Sequence, residues 1–186
     1  MPNVMFLNQG QRGFVNVTMA GGFAHLQKGH AVSFADWDHD GDVDVFEQMG
    51  GAYPGDRFGD VLYANPGFGN AWVCLRLMGT DSHPSALGAR IRVSVRDGEG
   101  SRSIYRYVTT GGSFGANPLR QTVGLGRAVS IDAVEVLWPR TRKTETFGGV
   151  TVGASYELTE GQGRARPVPS KTFPLGVGES KRSKPR

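Results

Sequence analysis

Thiols, long apolar runs and helical periodicity are all scarce in this chain. Of its 186 residues only Cys74 is a cysteine. One thiol makes no internal disulfide, and a thiolate zinc site has no second sulfur to use. Cys74 sits in "AWVCLRLMG" with no histidine close by in sequence, so it reads as a buried, inert thiol on a strand. No apolar stretch approaches the roughly 20 residues of a helical membrane span. The opening "MPNVMFLNQG" has no basic stretch followed by an apolar core, so no secretory signal is visible in it. No segment has the spacing of a long amphipathic helix.

The charge is unevenly spread. The net charge is +4, but from Gly161 onward there are seven basic residues and one acid, which leaves −2 for residues 1 to 160. The basicity therefore belongs to a tail containing proline and glycine, read as a disordered, solvated end. The rest has no basic stripe interleaved with aromatics, which argues against nucleic-acid binding.

Twenty-eight glycines punctuate many short runs rich in valine and threonine. That combination argues an all-β chain. Three regions separate: residues 1–66, 67–160 and a tail, 161–186. In the first, "VMFLN" and "GFVNVTM" read as a hairpin, and "HAVSFA", "VDVF" and "DVLYAN" as further strands. The second runs through "AWVCLRLMG", "ARIRVSVRD", "SIYRYVTT", "LRQTVGLG", "IDAVEVLWP", "TRKTETFGG" and "ASYELTE". Ile91, Val93 and Val95 alternate with Arg90, Arg92 and Ser94, the mark of a half-buried strand. The expected arrangement is antiparallel and sheet-on-sheet, with a sandwich preferred to a barrel.

Between two strands of the first region lies "FADWDHDGDVDVFEQMGG". Asp36, Asp38, Asp40, Asp42 and Asp44 fall at every second position, with Gly41 among them. Like charges at this density repel unless a cation sits among them. Carboxylates are hard oxygen ligands, and Ca²⁺ takes about 6–8 oxygens in flexible geometry. With Asp36 at the first position of a loop, Asp38 and Asp40 take the third and fifth, and Gly41 makes the sharp turn at the sixth. Asp42 would offer its main-chain carbonyl and Asp44 its side chain. His39 and Trp37 fall between ligands; His39 is read as solvent-facing, and Trp37 as facing outward or packing on the blade. The spacing through Glu47 also matches an EF-hand. That motif needs a helix on each side. Gly50, Gly51 and Pro54 leave no room after the loop, and Val32 and its neighbours read as strand before it. The expectation is a strand–loop–strand Ca²⁺ site closed near Asp44, with Glu47 part of a strand.

"VSFADWDHDGDVDVF", with "FLNQGQRGFVNVT" before it, resembles the FG-GAP/VCBS repeat of calcium-loop β-propellers. "NAWVCLRLMGT", "LGARIRV", "VGLG" and "VEVLWP" resemble the ASPIC/UnbV domain of the cartilage acidic protein family. The first resemblance covers roughly residues 1 to 66 and the second roughly 68 to 160. Together they imply a partial propeller blade region with a calcium loop, followed by a β-sandwich-like module. They imply an extracellular or periplasmic setting and an interaction or adhesion role, with protein, surface or glycan partners, rather than catalysis. A propeller has roughly 4–8 blades, and about one and a half units are present here. The chain is thus expected to be the C-terminal part of a longer protein, or to self-associate through its open edge.

Three weaker patterns remain. "GGSFG" around Ser113 matches the nucleophile elbow of a hydrolase, but Pro118 follows where that motif needs a helix. It reads as a glycine-rich turn, with a hydrolase fragment as the lesser alternative. A carbohydrate- or surface-binding role is the other alternative, and Tyr105 and Tyr107 are the one same-face aromatic pair to support it. Asn16-Val17-Thr18 is a glycosylation sequon that counts only in a eukaryotic secretory pathway.

Overall fold

The computed structural model describes residues 3–26, 28–51, 53–56, 58–112 and 114–175. Thirteen strands and one short 3-10 turn make up its regular structure, with no α-helix among the described residues. The chain divides into two compact units, residues 1–34, 45–63 and 111–117 in one, and 35–44, 64–110 and 118–186 in the other. The acidic loop, placed by sequence with residues 1–66, is thus grouped with the C-terminal unit.

The first unit holds the predicted hairpin, β1 (Phe6–Asn8) and β2 (Phe14–Asn16), paired antiparallel. A separate three-stranded sheet has the order β3 (Gly29–Ala35), β4 (Asp44–Met49), β5 (Val61–Tyr63). Glu47 lies within β4 and faces Val61 of β5. No helix flanks the acidic loop, which runs from the end of β3 to the start of β4. The EF-hand is excluded on those grounds.

The second unit is a sandwich of two four-stranded sheets. One has the order β11 (Thr144–Phe147), β10 (Ser130–Leu137), β7 (Arg90–Asp97), β8 (Gly100–Tyr107). The other has the order β13 (Arg166–Pro167), β12 (Ala154–Thr159), β6 (Ala71–Met78), β9 (Gln121–Gly126). Alternation decides which side chains fill the space between them. Ile91, Val93 and Val95 of β7 are fully buried, and Arg90 and Arg92 on the opposite face are exposed. Val73 and Leu75 of β6, Val123 and Leu125 of β9, Val134 and Val136 of β10 and Leu158 of β12 complete the same core. Trp138, just after β10, is buried in the same core. It packs edge-on to Phe147 at 6.5 Å and donates its indole N–H to Glu145 at 2.9 Å.

Two features depart from the sequence-based expectation. First, β12 pairs with β6 in parallel, Tyr156 opposite Leu75, although the other strand pairs are antiparallel where a register is described. Parallel neighbours need a long connection. Here five strands intervene, and alternation along either strand is silent about direction. Second, the tail is ordered at its start. Arg166 and Pro167 form β13 on the edge of the second sheet, with the Arg166 guanidinium on Glu157 at 2.6 Å. An edge strand tolerates proline because it needs fewer amide donors. Residues 176–186 of the tail lie outside the described residues.

Candidate metal centre

The acidic loop is built by its own side chains. Asp40 N–H donates to Asp38 Oδ1 at 3.3 Å, and Asp42 N–H donates to Asp40 Oδ1 at 2.8 Å. Each is a short aspartate turn that winds the backbone and leaves carboxylates on its inner side. Gly41 is required twice over. Its φ is +98°, and a Cβ there would fall 2.0 Å from the indole nitrogen of Trp72. His39 also takes a positive φ, 60°, a conformation histidine adopts more readily than most residues.

This winding brings Asp36, Asp38 and Asp40 together, with one ligating oxygen from each within 4.8 Å of the others. Asp36 is 7% exposed, and its Oδ1 is buried with no hydrogen-bond partner. A buried carboxylate oxygen left unpaired is costly, because the water it has lost is not replaced. Burial pushes the Asp36 carboxyl above its ordinary value, against the pull of the Gly41 amide and the Arg120 guanidinium. Asp38 is raised by burial and then by Asp40, and Asp42 by burial and then by Asp40, Asp36, Asp44 and Asp38. The loop concentrates negative charge that its own residues leave uncompensated.

Asp44 stands apart from that trio. It is 2% exposed, and its two oxygens accept from different backbone amides, Trp37 at 3.0 Å and Asn65 at 2.8 Å. The Asn65 side chain in turn donates to Val43 O at 3.3 Å and accepts from Gly67 N–H at 3.2 Å. Asp44 therefore fastens the neck of the loop. Asn65 lies twenty-one residues from Asp44, and no motif joins the two. Its one local signal is the Asn-Pro-Gly turn it begins.

His39 is half-buried rather than solvent-facing, edge-on to Phe173 at 5.7 Å, because the start of the tail lies against it. Trp37 is exposed. Cys74 is buried, and burial raises its thiol above the ordinary value, which disfavours the reactive thiolate. Tyr105 and Tyr107 are 49% and 53% exposed on β8 rather than in the core, with the Arg90 guanidinium 5.7 and 5.3 Å from their ring centroids. Ser113 lies outside the described residues.

The sandwich contains a second carboxylate centre, one that no sequence motif marks. Glu160, just beyond β12 and 6% exposed, accepts from Thr80 N–H at 3.0 Å and Ser82 N–H at 2.7 Å. It also accepts from the Ser82 hydroxyl at 3.0 Å and the Thr141 hydroxyl at 3.2 Å. Burial alone would raise its carboxyl, but these donors outweigh burial and hold it below its ordinary value.

No curated protein matches the chain. Residues 79–165, which contain strands β7 to β12 and the Glu160 centre but not the acidic loop, match the family model for ASPIC and UnbV, and support an ASPIC/UnbV domain over that span.

Proposed function

We propose that the chain is a non-enzymatic, calcium-stabilised interaction module of a secreted or cell-surface protein. Asp36, Asp38 and Asp40 would supply the carboxylates, with the Asp42 carbonyl and a second lone pair of an Asp44 oxygen, beyond the one that fastens the neck, completing the set. The single observation behind this reading is that Asp36, which keeps a buried, unpartnered Oδ1, is gathered with the carboxylates of Asp38 and Asp40. Oxygen-only donors without sulfur or imidazole suit Ca²⁺, and its variable coordination number suits a loop of this kind better than the strict octahedron of Mg²⁺. The ion would offset carboxylate repulsion and so stabilise the fold. The resemblance of residues 1–66 to FG-GAP/VCBS units supports the extracellular, adhesive part of the reading. So do the exposed apolar side chains of Phe6, Leu7, Phe14 and Val15 on the hairpin, which would be covered in a complete propeller or by a partner.

Thermal melting in Ca²⁺ and in chelator tests the metal. Calcium at a hundredfold excess over its Kd should add about 2.7 kcal/mol of stability. Asp36→Asn should remove most of that gain. A midpoint indifferent to chelation would overturn the reading.

A glycan-binding face is a second reading, favoured by the exposure of Tyr105 and Tyr107 beside Arg90. Aromatic rings with a polar neighbour offer sugars both an apolar face and hydrogen bonds. Tyrosine fluorescence should respond to neutral oligosaccharides, and Tyr105→Ala should weaken the response several-fold. An unchanged affinity in that variant would remove this reading.

A further inference from the structure

After β13 the chain runs back to the acidic loop. Val168 N–H donates to Ser155 O at 2.8 Å, Thr172 Oγ1 to His39 O at 3.0 Å, and Phe173 N–H to Asp38 O at 3.0 Å. A cleft of about 350 Å³ lies beside this strap, bordered by Cys74 and Arg76 of β6, Arg120, Ser155 of β12, Lys171 and His39. Its size falls at the small end of ligand sites, roughly 300–1,000 Å³.

The charge of this cleft is one-sided. Arg76, Arg120 and Lys171 border it, and no carboxylate does. Arg76 lies opposite Glu157 across the parallel pair, but Glu157 is bonded to Arg166 on its other side. The ion pairs of the described residues engage Arg92, Arg96, Arg102 and Arg166, none of them in the cleft. Arg120 reaches the main-chain oxygen of Asp36 at 3.5 Å, a long contact that leaves most of its donors uncommitted. Two guanidiniums and an ammonium around one concavity match the oxygens of a planar or tetrahedral anion. Ser155 and His39 add further hydrogen-bonding groups. The Cys74 thiol is held by Thr122 Oγ1 at 3.8 Å and takes no covalent part.

We infer that this cleft binds a small molecule through an oxyanion group, a carboxylate, sulfate or phosphate, gripped by Arg76 and Arg120 with Lys171 on the strap. The inference stands on the cationic lining and does not require the metal. The Asp36 carboxylate acts electrostatically on both Arg120 and Cys74, which border the cleft. A cation in the loop would neutralise it and strengthen the grip.

Calorimetric titration of the full chain with inorganic phosphate, sulfate and glucuronate, in Ca²⁺ and again in chelator, provides the test. Saturable binding of at least one probe is expected, weakened at least tenfold by Arg76→Gln and by Arg120→Gln and unchanged by Arg92→Gln. The ranking of the three probes identifies the source of the oxyanion. Arg76 is exposed and bound to no carboxylate, so its variant should melt like the parent. Absence of saturable binding by all three probes would overturn the inference. So would an affinity that both cleft variants leave intact, which would mark an adventitious ion. Binding that persists in chelator while the melting midpoint ignores Ca²⁺ would support the cleft and sink the metal reading alone.

Discussion

Asp36 and Glu160 are both buried carboxylates in the C-terminal unit, and the protein treats them oppositely. Glu160 receives two backbone N–H groups and two hydroxyls. Its charge is satisfied and its carboxyl sits below the ordinary value. Asp36 keeps an unpartnered oxygen, faces two more carboxylates and sits above it. Burial acts on both groups, so burial alone does not distinguish a structural carboxylate from a ligand. What distinguishes them is whether the fold supplies the donors. Glu160 is satisfied by donors from the fold, whereas Asp36 keeps an oxygen to which the described residues supply none.

Three experiments test that contrast. Glu160→Ala should have the largest effect, because it leaves the Thr80 and Ser82 amides without their acceptor. A loss of about 3–4 kcal/mol is expected in denaturant unfolding, from charged hydrogen bonds worth roughly 1.5–3 kcal/mol each with partial relaxation to water. The loss should be the same in Ca²⁺ and in chelator. A loss under ~1 kcal/mol would mean the centre contributes little. Gly41→Ala comes next, at about 2 kcal/mol, from a strained positive φ together with the clash with Trp72. Unlike Glu160→Ala it should also blunt the response to Ca²⁺, since it disturbs the loop that gathers the aspartates. A calcium-induced midpoint shift equal to the parent's would detach Gly41 from the site.

The smallest and most diagnostic effect is with pH. Glu160 has its folded value lowered, so its contribution is complete above the ordinary glutamate value of about 4.3 and fades as pH falls through the lower folded value. Asp36, Asp38 and Asp42 have theirs raised, so in chelator they work the other way. The metal-free fold should lose stability as pH rises from the ordinary aspartate value of about 3.9 through the raised folded values. Unfolding followed across that range in chelator should show this cost diminished in Asp38→Asn. Glu160→Gln should instead diminish the loss at the acid end, to which Asp97, also lowered, still contributes. Identical pH profiles for both variants would show that the two centres do not differ as argued.

Most of the strand pattern is legible in the amino-acid sequence. Ile91, Val93 and Val95 announce their buried face, because in a strand every second side chain shares a side. The loop is legible too, since Asp36, Asp38, Asp40 and Gly41 are local in sequence and their turns are made by near neighbours. The long-range features are not. Asp44 as a neck fastening depends on Asn65, and Glu160 gathers donors from residues 80, 82 and 141. No short window contains those sets.

The amino-acid sequence by itself thus determined the all-β class, the inward faces of the strands and the winding of an acidic loop around its glycine. These follow from alternation, turn chemistry and charge spacing within a few residues. Long-range packing set the parallel pairing of β12 with β6, the buried Asp36 oxygen without a donor, and the placing of Arg76, Arg120 and Lys171 around one cleft. Periodicity says which face of a strand is buried but not which strand becomes its neighbour, and the neighbours are what satisfy or strand a charge.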